Sequence, residues 1–392
     1  MIIRLSFLFA VFCSIISQIP SVLESSWGDP LKYTWVLPAL LLLFKRPKEY
    51  FDRPVRWFVY FIFAFGLYCA LFDAFTMKSY VGRDFYNISI SFLIFSVSYK
   101  CWRDYGHEQL LKHVAVATLV SGFLLAFFLY VNYLEGSDVL SRIFAYNYGK
   151  NQASMIVLCG LLMAILNLRF KKKWFYVIEF VIVAFMFYIV VLLRSRSTFV
   201  GVFYVIYYFI FRIHNRKLTI FTIVLSVTAI IVVLSSPYLY HIVVDGILFA
   251  GRDATDLNEL SSGRVYKLNE TWEIFVQNTW FGNGNIYMDC MPIAMLAQYG
   301  VVGASIVFSY LFFMGKKIFA FEKSNNIYLT AYLFFNVLML NSLFEGQPPF
   351  GPGVKCFMLW MMLGFSFADM SNKKEAIIAK KRRKELWENG TF

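Results

Sequence analysis

Residues 171–212 read KKKWFYVIEFVIVAFMFYIVVLLRSRSTFVGVFYVIYYFIFR. Two apolar runs, 174–193 and 197–212, are separated by almost no loop. A bilayer core takes about 20 apolar residues per helix, so the stretch reads as a membrane-crossing hairpin. Lys171, Lys172 and Lys173 enter it and Arg212 leaves it. Basic residues in short loops mark the cytoplasmic side, so the tight turn at Arg194–Arg196 faces outward.

The same pattern extends in both directions. Apolar runs fall at 5–23, 31–44, 57–74, 85–99 and 114–132, then at 152–168, 218–236, 292–314, 327–344 and 354–369. With the hairpin, this predicts an all-α polytopic membrane protein of about twelve transmembrane helices. No small-residue cleavage site follows the first run, only Ser17-Gln18-Ile19-Pro20, so it is read as a helix and not a signal peptide. Placing both termini in the cytoplasm gathers most of the 37 basic residues on one side: Arg4 and the groups at 45–56, 100–112, 169–173, 212–217, 316–323 and 373–384. A wrong helix count would scramble this alternation.

Composition agrees. Of 392 residues, 59% are hydrophobic and 16% charged, against about 45–50% and about 25% in soluble domains. The net charge of +13 is explained by the loop bias, which leaves no reason to invoke a nucleic-acid partner. The chain divides into 1–236 (nine spans), 237–291 (a large outer loop between spans 9 and 10), 292–370 (three spans) and 371–392 (a basic cytoplasmic tail). In the loop, Ile242, Val243, Ile247 and Leu248 suggest an amphipathic interfacial helix. A second helix is expected at about 263–278, with Ser261 and Ser262 able to cap it, and Gly282-Asn283-Gly284 forces a turn.

Basic residues on the outer face oppose the bias and need separate explanations. Arg194 and Arg196 sit in Leu193-Arg194-Ser195-Arg196-Ser197-Thr198, where burial without an anion is costly. Their partner is either a lipid headgroup or internal carboxylate, or a substrate phosphate, which the planar guanidinium binds in a bidentate manner. Arg264 follows Ser261-Ser262-Gly263 at a helix start, where free N–H groups and the dipole favour an anion. It is either a solvated arginine or half of a diphosphate clamp. Among the outer acids, Asp253, Asp256, Glu259, Glu270 and Glu273 read as solvated surface. Asp289 and Glu345 flank spans at the membrane surface, where one of them can act as general base on a sugar hydroxyl. Within the spans, Glu179 is placed to pair across helices, and Asp369 falls at the cytoplasmic boundary. Trp272, Trp280 and Tyr287 offer sugar-stacking faces, although interface anchoring explains most aromatics equally well.

His107, His113, His214 and His241 form no metal constellation, and neither DxD nor HExxH is present, so neither a metal nor another cofactor is expected. The six cysteines lack a CxxC pair; Cys290 and Cys356 fall on the outer side, where a bridge is conceivable.

In this order and spacing the motifs resemble the O-antigen polymerase and O-antigen ligase superfamily. Ser195-Arg196-Ser197 resembles its first arginine motif. Ser262-Gly263-Arg264, then Trp272 and Phe281-Gly282-Asn283-Gly284, resembles its second. Tyr146-Asn147-Tyr148-Gly149-Lys150-Asn151-Gln152 and Leu296-Ala297-Gln298-Tyr299-Gly300-Val301-Val302-Gly303 resemble flanking segments. The family's ligases carry a histidine at the position of Asp289, so the departure favours a polymerase. The resemblance implies a GT-C-like, metal-independent glycosyltransferase of the bacterial inner membrane, with its active face periplasmic. It would join undecaprenyl-diphosphate-linked oligosaccharide repeat units in lipopolysaccharide biosynthesis. Arg194, Arg196 and Arg264 would bind the diphosphate, and Asp289 or Glu345 would take the acceptor's proton. The expected partners are the lipid-linked oligosaccharide, the bilayer, a chain-length regulator and a flippase. Ligation of finished polymer to lipid A-core is the runner-up. A flippase or transporter is a non-enzymatic alternative, as is a receptor-like scaffold. A transporter would be expected to show repeated halves and broken spans in matching places, which the sequence lacks.

Overall fold

The computed structural model describes residues 2–45, 52–76, 83–106, 108–135, 149–168, 173–193, 195–212, 216–240, 244, 256, 258, 261, 263–284, 286–346 and 348–388. Among these, every regular element is a helix: α1 Ile2–Ile16, α2 Pro20–Leu23, α3 Gly28–Lys32, α4 Val36–Lys45, α5 Arg53–Thr76, α6 Arg83–Tyr105, α7 Glu108–Glu135 and α8 Lys150–Asn167. There follow α9 Lys173–Leu192, α10 Arg196–Arg212, α11 Arg216–Ser235, α12 Pro237–Tyr240, α13 Arg264–Gln277, α14 Met291–Phe319, α15 Asn326–Asn341 and α16 Val354–Glu388. Each apolar run of the sequence coincides with a helix or an interrupted pair. Six described helices (α5, α7, α8, α9, α14 and α16) are long and apolar enough to cross a membrane.

Apolar helices differ in what they bury. In α16 every residue from Val354 to Ala368 is buried, Lys355 included, and the helix packs against α6, α8 and α15. A helix apolar all round belongs in a protein interior. In α9 the equally apolar Trp174, Phe175, Val177, Phe180 and Val181 are exposed, as expected of a surface that meets lipid. Aromatic rings lock the interior. Phe61 stacks on Tyr310 at 4.2 Å, Phe350 stacks on Trp360 at 5.1 Å, and Trp360 Nε1 donates to the Pro349 carbonyl at 2.8 Å.

Several expectations are corrected. The first two runs are not continuous helices: they break at Ser17–Ile19 before Pro20, and between α3 and α4. The tenth run is broken as well, because Gly300 adopts φ 63°, ψ −175° inside α14. Broken spans therefore exist, though not in corresponding positions of two halves. The basic tail continues α16 as helix to Glu388. All six cysteines are free, with Cys356 buried inside the bundle, so no Cys290–Cys356 bridge forms. Glu179 meets no cation among the described residues, because its helix face looks outward. Asp369 accepts from Tyr328 Oη at 2.7 Å and pairs with Lys373 at 3.0 Å. The segments at 242–243, 245–250 and 251–255, with Ser262, Glu259, Arg194, Tyr146–Tyr148, His107, His214 and His241, lie outside the described residues.

Candidate functional site

The break in α14 builds the site's floor. A glycine with φ 63° interrupts the ladder of helical hydrogen bonds, which frees carbonyls before it and N–H groups after it. Buried backbone groups need partners, and the loop after α13 supplies them. Val301 N donates to the Thr279 carbonyl at 2.8 Å and Val302 N to that of Trp280 at 3.2 Å. In return, Asn283 N donates to the Ala297 carbonyl at 2.9 Å and Gly284 N to that of Gln298 at 3.1 Å. The approach requires glycine on both sides. A Cβ on Gly300 would overlap the Trp280 carbonyl, and one on Gly282 (φ 77°) would overlap the Gln298 carbonyl. Tyr68 Oη lies 2.8 Å from the Phe281 carbonyl and 2.6 Å from that of Tyr299, tying α5 to both. The predicted Gly282-Asn283-Gly284 turn is thus one half of a paired device.

The helix expected at 263–278 is α13. Gly263 holds φ 77° at its start, a conformation glycine adopts without a Cβ penalty. Ser261 Oγ accepts from Val265 N at 3.1 Å, as predicted, and Asn258 Oδ1 accepts from Tyr266 N at 3.1 Å, a cap not foreseen. Two N–H groups of the first turn are therefore already taken. What the helix start offers an anion is the Arg264 side chain more than free backbone.

Arg264 Nε lies 3.6 Å from Asp289 Oδ2, the two side chains being 28% and 36% exposed. That Nε is shielded from water and donates no hydrogen bond among the described residues, where its ion pair with Asp289 is the contact that holds it. Tyr287 Oη donates to Asp289 Oδ1 at 2.8 Å, and Lys267 sits 6.0 Å from the Tyr287 ring centroid. Burial pushes the neighbouring Cys290 thiol up, against a smaller opposing pull from Arg264. Tyr287 is exposed beside this pair, and Trp272 and Trp280 are exposed farther along α13 and the loop that follows it.

Glu345 is drawn to the same place by backbone. Met291 N donates to the Ser342 carbonyl at 2.8 Å and lies 3.2 Å from that of Glu345. Its carboxylate does not stand free: it pairs with Lys355 Nζ, which also donates to Asn341 Oδ1 at 2.8 Å. Sequence reading missed Lys355. Its signal was present, a lysine opening an apolar run on the outer side, and it is only 3% exposed.

Arg196 opens α10. Ser195 caps that helix: its Oγ accepts from Thr198 N at 3.4 Å and from Thr198 Oγ1 at 2.9 Å, and donates to Asn151 Oδ1 at 2.9 Å. Gly201 faces Val337, and the Tyr208 ring lies 5.4 Å from Tyr332. Helix α10 therefore runs antiparallel to α15, and the register carries Arg196 to the level of Asn341. Asn151 and Gln152, from the predicted asparagine segment, join the same end; Gln152 Nε2 donates to Gln18 Oε1 at 2.6 Å. The structure thus pairs Arg264 with Asp289 directly, sets Glu345 beside them with an unforeseen partner, and brings Arg196 to the same end of the bundle.

A helical membrane protein with paired charges at one end is the class these features define. Residues 181–299 match the family model described as O-antigen ligase. The match contains Arg196, Arg264 and Asp289 and ends one residue before the α14 break. It supports the O-antigen polymerase and ligase superfamily, whose members are membrane glycosyltransferase-type enzymes acting on lipid-linked polysaccharide. No curated protein matches the chain.

Proposed function

We propose that the protein is an O-antigen polymerase that joins undecaprenyl-diphosphate-linked repeat units at the periplasmic face of the bacterial inner membrane. The observation that carries this reading is the Arg264–Asp289 pair, 3.6 Å apart. It sets a cation suited to phosphate beside a proton acceptor that exposed Tyr287 hydrogen-bonds. About twelve spans in a GT-C-like arrangement, both termini cytoplasmic, would put this end outside, between spans 9 and 10. In domain terms, nine spans (1–236), the outer loop (237–291), three spans (292–370) and the basic tail (371–392) make up the chain.

In this mechanism the donor's diphosphate binds Arg264 and Arg196, with Arg194 assigned to the same task from the sequence. Arg264 exchanges Asp289 for phosphate oxygens, to which its planar fork is matched. The acceptor sugar's hydroxyl oxygen then forms a bond to the donor's anomeric carbon. The bond from that carbon to the phosphate oxygen breaks, and its electron pair leaves with the polyprenyl diphosphate. The hydroxyl proton passes to Asp289. The arginines stabilise the charge developing on the leaving group, and Trp272, Trp280 and Tyr287 hold sugar faces. Glu345 fixes Lys355, so Asp289 is the better base. The diphosphate supplies the activation, and the chemistry asks for neither a metal nor another cofactor. A flippase would deliver the units and a chain-length regulator would work beside the polymerase.

A second reading is ligation of finished polymer to lipid A-core, since the matching family model is described as O-antigen ligase. A deletion strain separates the two. Loss of the polymerase leaves lipopolysaccharide carrying single repeat units, whereas loss of a ligase leaves none. Single units restored to long chains by the wild-type gene, but not by Arg264→Ala at equal protein level, is the expected result. Bare core in the deletion strain would establish ligation instead.

A further inference from the structure

The opposite end of the bundle holds a second collection of cations. A cavity of about 630 Å³ opens where the start of α5 and the last turns of α6 and α14 meet the middle of α16. Arg53, Arg56, Arg103, Lys317 and Lys374 line it. These residues come from four separate basic clusters that the sequence assigns to the cytoplasmic side. Orientation by loop charge explains why each cluster exists. It does not require them to converge on one hollow.

Among the described residues, two carboxylates line the cavity, Asp52 and Glu375. Arg103 engages both, pairing with Asp52 through one terminal nitrogen and with Glu375 at 2.8 Å through the other. Arg53, Arg56 and Lys374 are exposed and pair with no carboxylate among the described residues. Lys317 rests against the Phe313 ring, 5.8 Å from its centroid. The hollow therefore carries an excess of positive charge around a fixed, acid-buttressed arginine. Its other wall is apolar: the Trp57 and Phe313 rings lie 5.9 Å apart. Trp57 also packs edge-on against Tyr60, and Trp57, Tyr60, Phe63 and Phe312 on the same two helices are exposed, the kind of surface that meets acyl chains.

We propose that this cavity binds the phosphate of an anionic phospholipid from the adjoining leaflet. The cations take the phosphate ester, as basic pockets between cytoplasmic helix ends do, and Trp57 and Phe313 take the start of the acyl chains. A soluble phosphate ester shares the headgroup chemistry but gains nothing from the apolar wall.

The test uses native mass spectrometry of the full-length protein, purified in neutral detergent and stripped of lipid. Phosphatidylglycerol, phosphatidylcholine and glycerol phosphate are added separately and in competition. One phosphatidylglycerol should stay bound under activation that removes phosphatidylcholine, and excess glycerol phosphate should not displace it. R53A/R56A/K374A changes only exposed side chains and should lower retention about tenfold or more. K374A alone, late on α16, gives a smaller loss in the same direction and stands in if the triple variant misfolds. Equal retention by wild type and variants, or equal retention of both lipids, would overturn the site. Displacement by equimolar glycerol phosphate would overturn the lipid and assign a soluble ester.

Discussion

The two ends of the bundle handle charge in opposite ways. At the end holding Arg264, two cations are each paired with a carboxylate: Arg264 with Asp289, and Lys355 with Glu345. The backbone there is fixed by reciprocal hydrogen bonds across a broken helix. At the end holding Arg103, cations outnumber acids and most stand exposed. Matched charges in a fixed frame suit a reaction that needs groups at set distances. Unmatched charges at a rim suit orientation and attraction of anions. The second end has more basic residues, and the two ends also differ in how those residues are paired.

The most damaging change to the first end should be Gly300→Ala. The residue holds φ 63°, ψ −175°, a region that only glycine visits at low cost, and its new Cβ would strike the Trp280 backbone. We expect destabilisation of about 3 kcal/mol or more, read as a lower unfolding midpoint in detergent. An unchanged midpoint would mean that the loop does not cradle the break.

Next come the buried ions. Glu345→Gln or Lys355→Met should each cost about 3 kcal/mol, because one charge is left without its partner. The double variant should cost less than the two singles together. Strict additivity in denaturation would show that the pair is not coupled, removing one of the two matches that separate the ends. The smallest effect belongs to the other end. Lys374→Ala should move stability by no more than about 0.5 kcal/mol and leave polysaccharide length unaltered, because no carboxylate depends on that lysine. A large stability loss there would erase the contrast.

Much of this architecture was legible in the sequence because membranes impose a coarse rule. Long apolar runs and alternating basic loops located the helices, and the segment Gly263–Arg264 announced α13. Interruptions were harder. Gly300 sits in an apolar stretch that looks continuous, and nothing local says that Thr279–Gly284 will satisfy the backbone it frees. That information is long-range, held in two glycines that must meet. Lys355 was missed for a related reason. A lysine at the margin of an apolar run reads as snorkelling toward water, and only the fold shows Glu345 and Asn341 waiting for it. Arg264 and Asp289 were each singled out by position, but their pairing depended on the loop's return to the membrane surface. The Asn258 cap was invisible because it reaches over several residues into an irregular segment.

The central claim is that Arg264 and Asp289 form a working pair, with the aspartate taking the acceptor's proton. It is tested most directly by the elongation rate of purified Asp289→Asn on a polyprenyl-diphosphate-linked repeat unit. Asparagine keeps the shape and the Tyr287 hydrogen bond but cannot accept a proton. The rate should fall by about 10²–10⁴-fold at an unchanged unfolding midpoint. Elongation by this variant within about twofold of wild type, well below the effect expected of a general base, would contradict the account.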